Sequence, residues 1–487
     1  MKILIINPPA EKPVLEYPNE KGERFIEPDD FGFFPPLGAL YVLSYLEKLK
    51  TGDDLFFKDC VAEKYSHKML FDYIKDIKPD VIGITSFTAL LVDILFVIRT
   101  VRCEFPAIHI CLGGPHATAF PFEAVGLEGV DSIVVGEGEK AFSILIEYIR
   151  YGKEPIDIPG VYTKKSIAIW KNKSFDDSRY LGKMAVPPAF IEEIDELPQP
   201  NRDYIKHINY HSIVGVSNKL ATIITSRGCP YQCIFCDVPI KKYRKRDAKL
   251  VIDEVEACLN QGYQEVHFYD DLFNISPMRL INICEEIDKR KLKFPWDFRG
   301  RVNSVTRESL CRAKKSGCRM ISFGVETGTN EGLMFLNKNT TIDQIRNAFR
   351  LCSEFGIKTI ADFMIGLPFE RSKEDIFKNI DFLIELNPDY AQIGILSLYP
   401  NTRIYDMAAE KGLINPARWS EFSCKPTENF TVDHWVEFLS TSQLIKIHKQ
   451  AYRKFYLRPN YAFKQLVGIN SIYEFKSKLR GFLKLFN

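Results

Sequence analysis

The first 150 residues alternate short runs of β-branched residues with longer amphipathic stretches. The short runs predict strands at residues 2–6, 55–59, 81–85, 108–112 and 132–135. The amphipathic stretches predict helices at residues 37–50, 69–77, 90–103 and 140–151. Repeated strand–helix units favour a parallel sheet with helices on both faces. We therefore expect an α/β chain that begins with a doubly wound, Rossmann-like domain.

The same alternation returns after residue 220. Strands are predicted at residues 221–225, 265–269, 296–299, 320–325, 359–365 and 391–398, with helices at 250–259, 277–288 and 373–386 between them. Six such units are too few to close an eight-stranded barrel, so we expect a partial (β/α)6 barrel of the TIM type. In both architectures ligands bind beyond the carboxyl ends of the strands.

The segments outside these repeats differ in character. Residues 161–170 predict a charged hairpin, and Pro198 and Pro200 mark a boundary because neither fits inside a helix or a central strand. From about residue 420 the sequence is helical and rich in aromatic and basic residues. We therefore divide the chain into a Rossmann-like domain at 1–155, a linker at 156–205, a barrel at 206–420 and a helical C-terminal region at 421–487.

Composition narrows the classes of function. The chain has 487 residues, with 65 Lys and Arg against 63 Asp and Glu, so its net charge of +2 gives no reason to expect nucleic acid as a partner. It has no apolar run of about 18 residues, and its first apolar run is too short for a signal peptide. We therefore expect a cytoplasmic protein, whose twelve cysteines are metal ligands or buried thiols rather than disulfides.

Small and glycine-rich residues follow the predicted strands of the first domain. They are Asn7 and Pro8 after the first strand, Thr85 and Ser86 after the third, Gly113, Gly114, Pro115 and His116 after the fourth, and Gly136, Glu137 and Gly138 after the fifth. Such residues let backbone N–H groups approach a ligand closely. Each loop alone could be an ordinary tight turn, but four of them on one edge favour a large bound ligand.

Three cysteines, Cys229, Cys233 and Cys236, lie within eight residues just after the first barrel strand. Structural zinc sites and ferredoxin clusters each need four protein ligands. Three thiolates in so short a loop therefore imply a 4Fe–4S cluster with one iron that no protein ligand binds. The alternative is three unrelated thiols or a degenerate zinc site.

This loop resembles the signature of the radical S-adenosylmethionine (SAM) superfamily. The resemblance implies that SAM chelates the open iron, and that an electron from a flavodoxin or ferredoxin type of donor cleaves SAM to a 5′-deoxyadenosyl radical. It also implies that Phe235 packs beside the adenine and that later strand ends contact SAM. The residues implied at those strand ends are Asp270, Asp271, Arg299, Arg301, Glu326, Gly366 and Leu367.

With its first domain included, the chain resembles the cobalamin-binding radical SAM proteins, which include anaerobic magnesium-protoporphyrin ester cyclase-like enzymes and methylases of unactivated carbons. The resemblance implies that the small-residue loops of the first domain bind cobalamin. The Asp-x-His-x-x-Gly string that carries a cobalt-binding histidine in other cobalamin proteins is absent. We therefore expect His116 to be a loop residue hydrogen-bonded to backbone rather than a cobalt ligand.

The expected activity is methylation of an unactivated carbon in an apolar substrate. Cyclisation, oxidation or carbon–carbon coupling of a lipid-like substrate is the alternative, with cobalamin in another role or lost, and a sensor without catalysis is a third reading. No catalytic acid or base is identified. Residues 472–486 predict a basic amphipathic helix that either contacts an anionic membrane surface or packs against the barrel.

Overall fold

The computed structural model describes residues 1–14, 32–180 and 183–459, together with 461 and 465. The strands are β1 Lys2–Asn7, β2 Gly32–Phe33, β3 Asp54–Asp59, β4 Val81–Thr85, β5 His109–Gly113, β6 Ser132–Val134, β7 Val161–Tyr162, β8 Phe175–Asp176, β9 Lys183–Met184, β10 His211–Ser212, β11 Leu220–Ile223, β12 Ser226–Arg227, β13 Arg244–Lys245, β14 Glu265–Phe268, β15 Trp296–Gly300, β16 Cys318–Glu326, β17 Lys358–Ile365 and β18 Tyr390–Ile395. The α-helices are α1 Leu37–Leu49, α2 His67–Ile77, α3 Leu91–Glu104, α4 Pro115–Ala119, α5 Pro121–Gly126, α6 Gly138–Arg150, α7 Lys164–Ile167, α8 Ala248–Asn260, α9 Pro277–Lys289, α10 Arg307–Lys315, α11 Asn330–Phe335, α12 Ile342–Glu354, α13 Lys373–Leu386, α14 Arg403–Glu410, α15 Arg418–Cys424 and α16 Thr441–Tyr456.

These elements form two units. The first unit contains the described residues of Met1–Phe25, Phe34–Ile208 and Asn415–Val432. The second, called the barrel unit below, contains those of Ile26–Phe33, Asn209–Ile414 and Asp433–Asn487.

The first unit is built on a sheet of order β3-β1-β4-β5-β6-β7, in which β7 alone runs antiparallel to its neighbour. The side chains of Ile3, Leu4 and Ile6 in β1 are fully buried, as expected for a central strand covered on both faces. In this sheet β3 lies on one side of β1, and β4 and the strands after it lie on the other side. Strand order therefore reverses between β1 and β4, which is where doubly wound sheets bind ligands.

The barrel unit contains the parallel sheet β11-β14-β15-β16-β17-β18, whose spatial order is the chain order. One face of this sheet is apolar and covered by helices: Phe268, Phe298 and Phe323 are at most 1% exposed there. The alternate residues lie on the inner face, and polar side chains occur among them. The predicted fold class, a doubly wound domain with a partial barrel and C-terminal helices, is confirmed.

Helix α16 covers the last strand of this sheet, β18. The Tyr456 hydroxyl accepts a hydrogen bond from the Ala391 N–H (3.0 Å) and donates one to the Ala391 carbonyl (2.8 Å). The Tyr452 hydroxyl accepts from the Ile393 N–H (3.1 Å), and the His448 ring lies 2.7 Å from the Ile393 carbonyl oxygen. Side chains of α16 therefore hydrogen-bond to the backbone groups of β18 that would otherwise pair with a further strand.

The prediction of a hairpin at residues 161–170 is wrong. Val161–Tyr162 joins the first sheet as β7, and the next residues form α7. Thr163 and Ser166 form a capping box, in which each side chain accepts a hydrogen bond from the other residue's backbone N–H. This local start signal outweighs the β-branched character of the segment. The predicted helix at residues 472–486 lies outside the described residues, and no helix among the described ones is long and apolar enough to cross a bilayer.

Candidate active site

The three-cysteine loop lies between β12 and β13, just beyond the carboxyl end of β11. The backbone N–H of Cys229 donates to the Ile240 carbonyl (2.9 Å), and that of Ile234 donates to the Leu336 carbonyl (3.1 Å). Asp270 fixes the start of the loop, because its carboxylate accepts hydrogen bonds from the Thr225 N–H, the Thr225 hydroxyl and the Ser226 hydroxyl. Both carboxylate oxygens of Asp270 therefore bind residues at the start of the loop.

The three thiols are free and differ in exposure: Cys233 is buried, and Cys229 and Cys236 are partly exposed. Burial raises the pKa of the Cys229 thiol and raises that of Cys236 to about 11, while nearby Lys241 lowers both. Thiols in this state become thiolates when a metal binds them. No three His, Cys, Asp or Glu side chains of the described residues converge closely enough to hold a single ion. A cubane offers a separate iron to each thiolate, so this spread-out donor set fits a cluster better than a mononuclear site.

Two charged side chains, Arg301 and Lys338, lie near Cys233. The Arg301 guanidinium lies 3.9 Å from the Cys233 sulfur, stacks 3.6 Å over the Tyr231 ring, and donates to the Lys338 carbonyl. Asn274 fixes the Arg301 backbone: its side-chain oxygen accepts from the Arg301 N–H (2.8 Å), and its amide donates to the Arg301 carbonyl (3.0 Å). Arg301 is therefore held beside the cluster loop.

Lys338 and Glu326 form a buried ion pair with a 2.5 Å contact next to this arginine. Burial pulls the pKa of Lys338 down, but the Glu326 carboxylate and the Cys233 sulfur together raise it above its usual range. A Cβ atom on Gly324 would lie 2.4 Å from the Glu326 carboxylate, so only glycine leaves room for the pair. Glu326 itself has a φ of 67°, where the β16–β17 register shifts. The chain thus accepts local strain to place this carboxylate.

The remaining predicted SAM residues lie around the same strand ends. Asp271 is exposed beside Asp270, and the Phe235 ring centroid is 5.6 Å from the Lys338 ammonium. Gly366, with a φ of 74°, and Leu367 follow β17. Their turn is held by Glu370, whose carboxylate accepts from the Leu367 N–H (2.9 Å) and from the Asn379 amide (2.7 Å). Arg299 lies two residues before Arg301, within β15.

Sequence reasoning missed Lys338 and Glu370. Burial raises the pKa of the Glu370 carboxyl to about 7, against the hydrogen bonds that it accepts. Both residues lie between regular elements, where no hydrophobic period marks them. Lys338 pairs with the carboxylate of Glu326, which lies 12 residues earlier, and only the fold brings the two together.

The carboxyl edge of the first unit has a different character. Ser86 joins the ends of β4 and β5, because its N–H and its hydroxyl both donate to the Gly113 carbonyl, at 2.7 and 2.6 Å. A Cβ atom on Gly113 would meet nothing within 4 Å, so the space beside Thr85 and Gly113 is open. Gly114 has a φ of 92°, and its next neighbour, Pro115, is exposed.

His116 is fully buried at this edge. Its Nδ1 lies 3.1 Å from the Thr88 hydroxyl, and its Nε2 has no hydrogen-bond partner among the described residues. Burial lowers the pKa of His116 to about 4, so the ring is neutral. The Nε2 atom of His116 has no partner among the described residues, and the space beside Gly113 is open. Both features fit a site for a bound group such as a corrin better than an ordinary tight turn.

The other predicted cobalamin residues have partners within the first unit. The Asn7 amide donates to the Asp59 carboxylate (2.8 Å), and Pro8 is buried directly after it. Gly136 pairs with Ala189, and the Glu137 carboxylate accepts from the Ile191 N–H (2.6 Å). The loop from Gly136 to Gly138, where α6 begins, therefore packs against its own chain.

Family models match both units. Residues 223–383 match the radical SAM superfamily, and residues 31–146 match the B12 binding domain. The residues of the three-cysteine loop lie within the first match, and the open glycine edge lies within the second.

Relatives and solved structures share both regions. An uncharacterized methyltransferase of Pyrococcus horikoshii is 28% identical over 100% of this chain and 99% of its own. The anaerobic magnesium-protoporphyrin IX monomethyl ester cyclase of Rubrivivax gelatinosus is 29% identical over 78% of this chain and 67% of its own. The solved structure of OxsB, a cobalamin-dependent SAM radical enzyme, superposes with a TM-score of 0.72 at 19% identity, over 99% of this chain and 70% of its own.

The predicted cofactors, a 4Fe–4S cluster, SAM and cobalamin, are confirmed by these matches. Enzymes of this kind need a reductant and act on small molecules. The chain therefore contains a radical SAM domain at residues 223–383, preceded by a B12 binding domain at residues 31–146.

Proposed function

We propose that this enzyme methylates an unactivated carbon of a small-molecule substrate. The observation that carries the proposal is the loop of three free cysteines, placed next to a buried lysine–glutamate pair. The loop supports a cluster in which one iron is bound by a ligand that is not part of the protein. The B12 binding domain supports a second cofactor, which carries methyl groups. The methyltransferase relative supports the same activity.

Each cofactor supplies its own chemistry when bound: the cluster and SAM supply a 5′-deoxyadenosyl radical, and cobalamin supplies methyl transfer. The chain's part is to hold and orient. In our proposal Cys229, Cys233 and Cys236 hold the cluster. Lys338 offers positive charge to the SAM carboxylate, and Arg301 lies beside it.

The acidic and apolar residues of this edge complete the proposed SAM site. Glu326 and Asp271 accept hydrogen bonds from the SAM amino or ribose groups, while Phe235, Gly366 and Leu367 pack beside the adenine. Asp270 keeps the loop in place through Thr225 and Ser226. The cobalamin site in this proposal is the edge formed by Asn7, Pro8, Thr85, Ser86 and residues 113–116, with Gly136, Glu137 and Gly138 supporting its far side.

A second candidate is supported by the cyclase relative: the same cofactors could serve cyclisation or oxidation of the substrate. To separate the two, the full-length protein is reconstituted anaerobically with iron, sulfide and hydroxocobalamin and then given SAM and a low-potential reductant. Release of 5′-deoxyadenosine together with S-adenosylhomocysteine supports methylation. Deoxyadenosine alone supports the second candidate, and a spectrum that ignores added SAM would contradict both.

Two finer proposals concern partners. A flavodoxin or ferredoxin type of donor is expected to replace the chemical reductant in that assay. Residues 472–486 are proposed to contact an anionic membrane, which would bring a lipid-like substrate within reach. Their apolar residues recur at helical spacing between Lys476, Lys478, Arg480 and Lys484. Co-sedimentation of the full chain with anionic liposomes, compared with a chain ending at residue 470, tests this contact; equal behaviour would dismiss it.

A further inference from the structure

The inner face of the barrel sheet carries polar and charged side chains. The strand register places His267 beside Asp297, and Arg299 beside Ser322. Tyr269 continues the inner face of β14, because it follows β14 by one residue and its N–H still pairs with the Ile223 carbonyl (2.9 Å). The opposite face at these positions is filled by fully buried aromatic rings such as Phe268 and Phe298.

Arg299 stands out on this inner face. It is exposed, although it lies in the third strand of a six-stranded sheet. Its guanidinium makes no hydrogen bond or ion pair with the described residues. Arg299 influences the charge of Asp362 on β17: burial raises the pKa of that carboxyl and Arg299 lowers it. Asp362 already accepts a hydrogen bond from the Ser322 hydroxyl (2.8 Å) and forms no ion pair with Arg299.

The neighbouring strand supplies a second exposed polar group. The Tyr269 side chain is 45% exposed, and its ring packs edge-on against the His267 ring, with 5.3 Å between centroids. His267 is in turn held by the Asp297 carboxylate through Nδ1. Arg319 fixes Asp297 from below (2.7 Å) and also pairs with buried Glu265 (2.5 Å). This network holds the His267 ring against which Tyr269 packs, and continuing the β14–β15 register by one residue sets Tyr269 opposite Arg299.

We propose that the inner face of the barrel binds the anionic group of the substrate, a carboxylate or a phosphate, between the Arg299 guanidinium and the Tyr269 hydroxyl. Calling this ligand the substrate rests on the proposed function; the anion site itself does not. Arginine binds such groups through two parallel hydrogen bonds, and a guanidinium facing into a barrel without an ion-pair partner is suited to receive one. The rest of the substrate can be apolar, since only one end is fixed.

Calorimetric titration of the reconstituted, SAM-saturated full-length enzyme tests the site. The probes are inorganic phosphate, acetate and, as the neutral counterpart, acetamide, at one ionic strength. We expect at least one of the two anions to bind with a dissociation constant of about 1 mM and acetamide not to bind. Comparison of phosphate with acetate shows which anion the site prefers.

Variants assign that binding to the proposed residues. Arg299→Met is expected to weaken it by about tenfold or more, and Arg299→Lys by less, because lysine keeps the charge without the fork. Arg307→Met is the matched control, since Arg307 is an exposed arginine on α10 paired with Glu354. Tyr269→Phe keeps the ring and loses one hydrogen bond, so a loss of about fivefold is expected. It also serves as the readout should Arg299→Met fail to fold.

Three outcomes overturn the proposal. The first is that neither anion binds, and the second is that the anion binds as tightly to Arg299→Met or Tyr269→Phe as to the wild type, which means an adventitious ion only. The third is that the anion binds when the titration is repeated without SAM but not in its presence, which assigns Arg299 to the SAM carboxylate instead. Release of the two SAM-derived products is a separate measurement, so failure of this site is distinguishable from failure of the proposed function.

Discussion

The two parallel sheets present opposite chemistry at their carboxyl edges. The edge of the first unit is made of glycine, serine, threonine and proline, with a buried neutral histidine. The edge of the barrel carries thiols, a buried lysine–glutamate pair and a buried arginine. A large macrocycle is held by shape and by backbone groups, whereas a cluster and a zwitterionic sulfonium need charges placed in advance. The difference indicates that the carboxyl edge of a parallel sheet suits one kind of cofactor or the other according to the side chains that it carries.

The sharpest test of this division is removal of one thiol. Cys233→Ala is expected to abolish iron–sulfur absorbance and 5′-deoxyadenosine formation while leaving cobalamin binding unchanged, because the thiol belongs to the barrel edge only. Cys311→Ala, a half-buried cysteine on α10, is the matched control and should behave as wild type. Loss of cobalamin binding in Cys233→Ala would show that the two edges are not independent.

Breaking the buried ion pair of the barrel edge has the next largest expected effect. Lys338→Met leaves the Glu326 carboxylate buried without its partner, which costs about 3 kcal/mol of unfolding free energy. The loss of positive charge should also weaken SAM binding by about tenfold. Denaturant unfolding and SAM titration of the reconstituted enzyme measure the two effects.

A second substitution checks the cause of that destabilisation. Adding Glu326→Gln to Lys338→Met removes the unpaired charge and is expected to recover part of the stability. The exposed pair of Lys411 and Glu437 offers a control, since Lys411→Met should cost less than about 1 kcal/mol. Equal costs at the two sites would contradict the importance of the buried pair.

Filling the open cradle of the first unit tests the other edge. Gly113→Leu adds a side chain where a Cβ atom meets nothing, so the fold should tolerate it while cobalamin affinity falls by about tenfold or more. Gly126→Leu, at the end of α5 with equally open surroundings, is the control. Spectroscopic titration with hydroxocobalamin measures the affinity, and unchanged affinity in Gly113→Leu would place cobalamin elsewhere.

The last expected effect is a dependence of stability on pH. Because the pKa of Glu370 is raised to about 7 in the folded state, the folded protein binds this proton more tightly than the unfolded chain does. Its contribution to stability therefore falls as pH rises from about 4.5 to about 7 and is constant above, by at most about 3 kcal/mol. Glu370→Gln should flatten this part of the stability profile, measured by denaturant unfolding between pH 5 and about 8. A profile parallel to wild type would show that Glu370 titrates normally.

The hydrophobic pattern was sufficient for the fold class, the three cysteines pointed to the cluster, and the resemblance to a known family supplied SAM and cobalamin. Buried parallel strands form continuous apolar runs, so their positions follow from the hydrophobic pattern, and three closely spaced cysteines carry their own chemical meaning. The hairpin expected at residues 161–170 failed because the Thr163–Ser166 capping box starts a helix there.

Contacts between distant residues escaped sequence reasoning. Lys338 reaches Glu326 only when α11 folds back towards β16, and Gly136 pairs with Ala189, 53 positions later in the chain. The expected roles of Arg299 and Arg301 were the same, yet Arg299 lies in β15 on the inner face of the sheet, whereas Arg301 follows the strand and lies beside Cys233. The individual site residues remain predictions that the experiments above test.

The row of Tyr452, Tyr456 and His448 along β18 has a consequence for anyone who shortens this chain. A version ending before α16 would keep every strand of the barrel but leave the amide and carbonyl groups of Ala391 and Ile393 unclaimed. Exposed edge strands of this kind pair with one another. We therefore expect such a fragment to self-associate through its sheets instead of staying monomeric. Helix α16 is therefore expected to protect the edge of β18 from pairing with another copy of the chain.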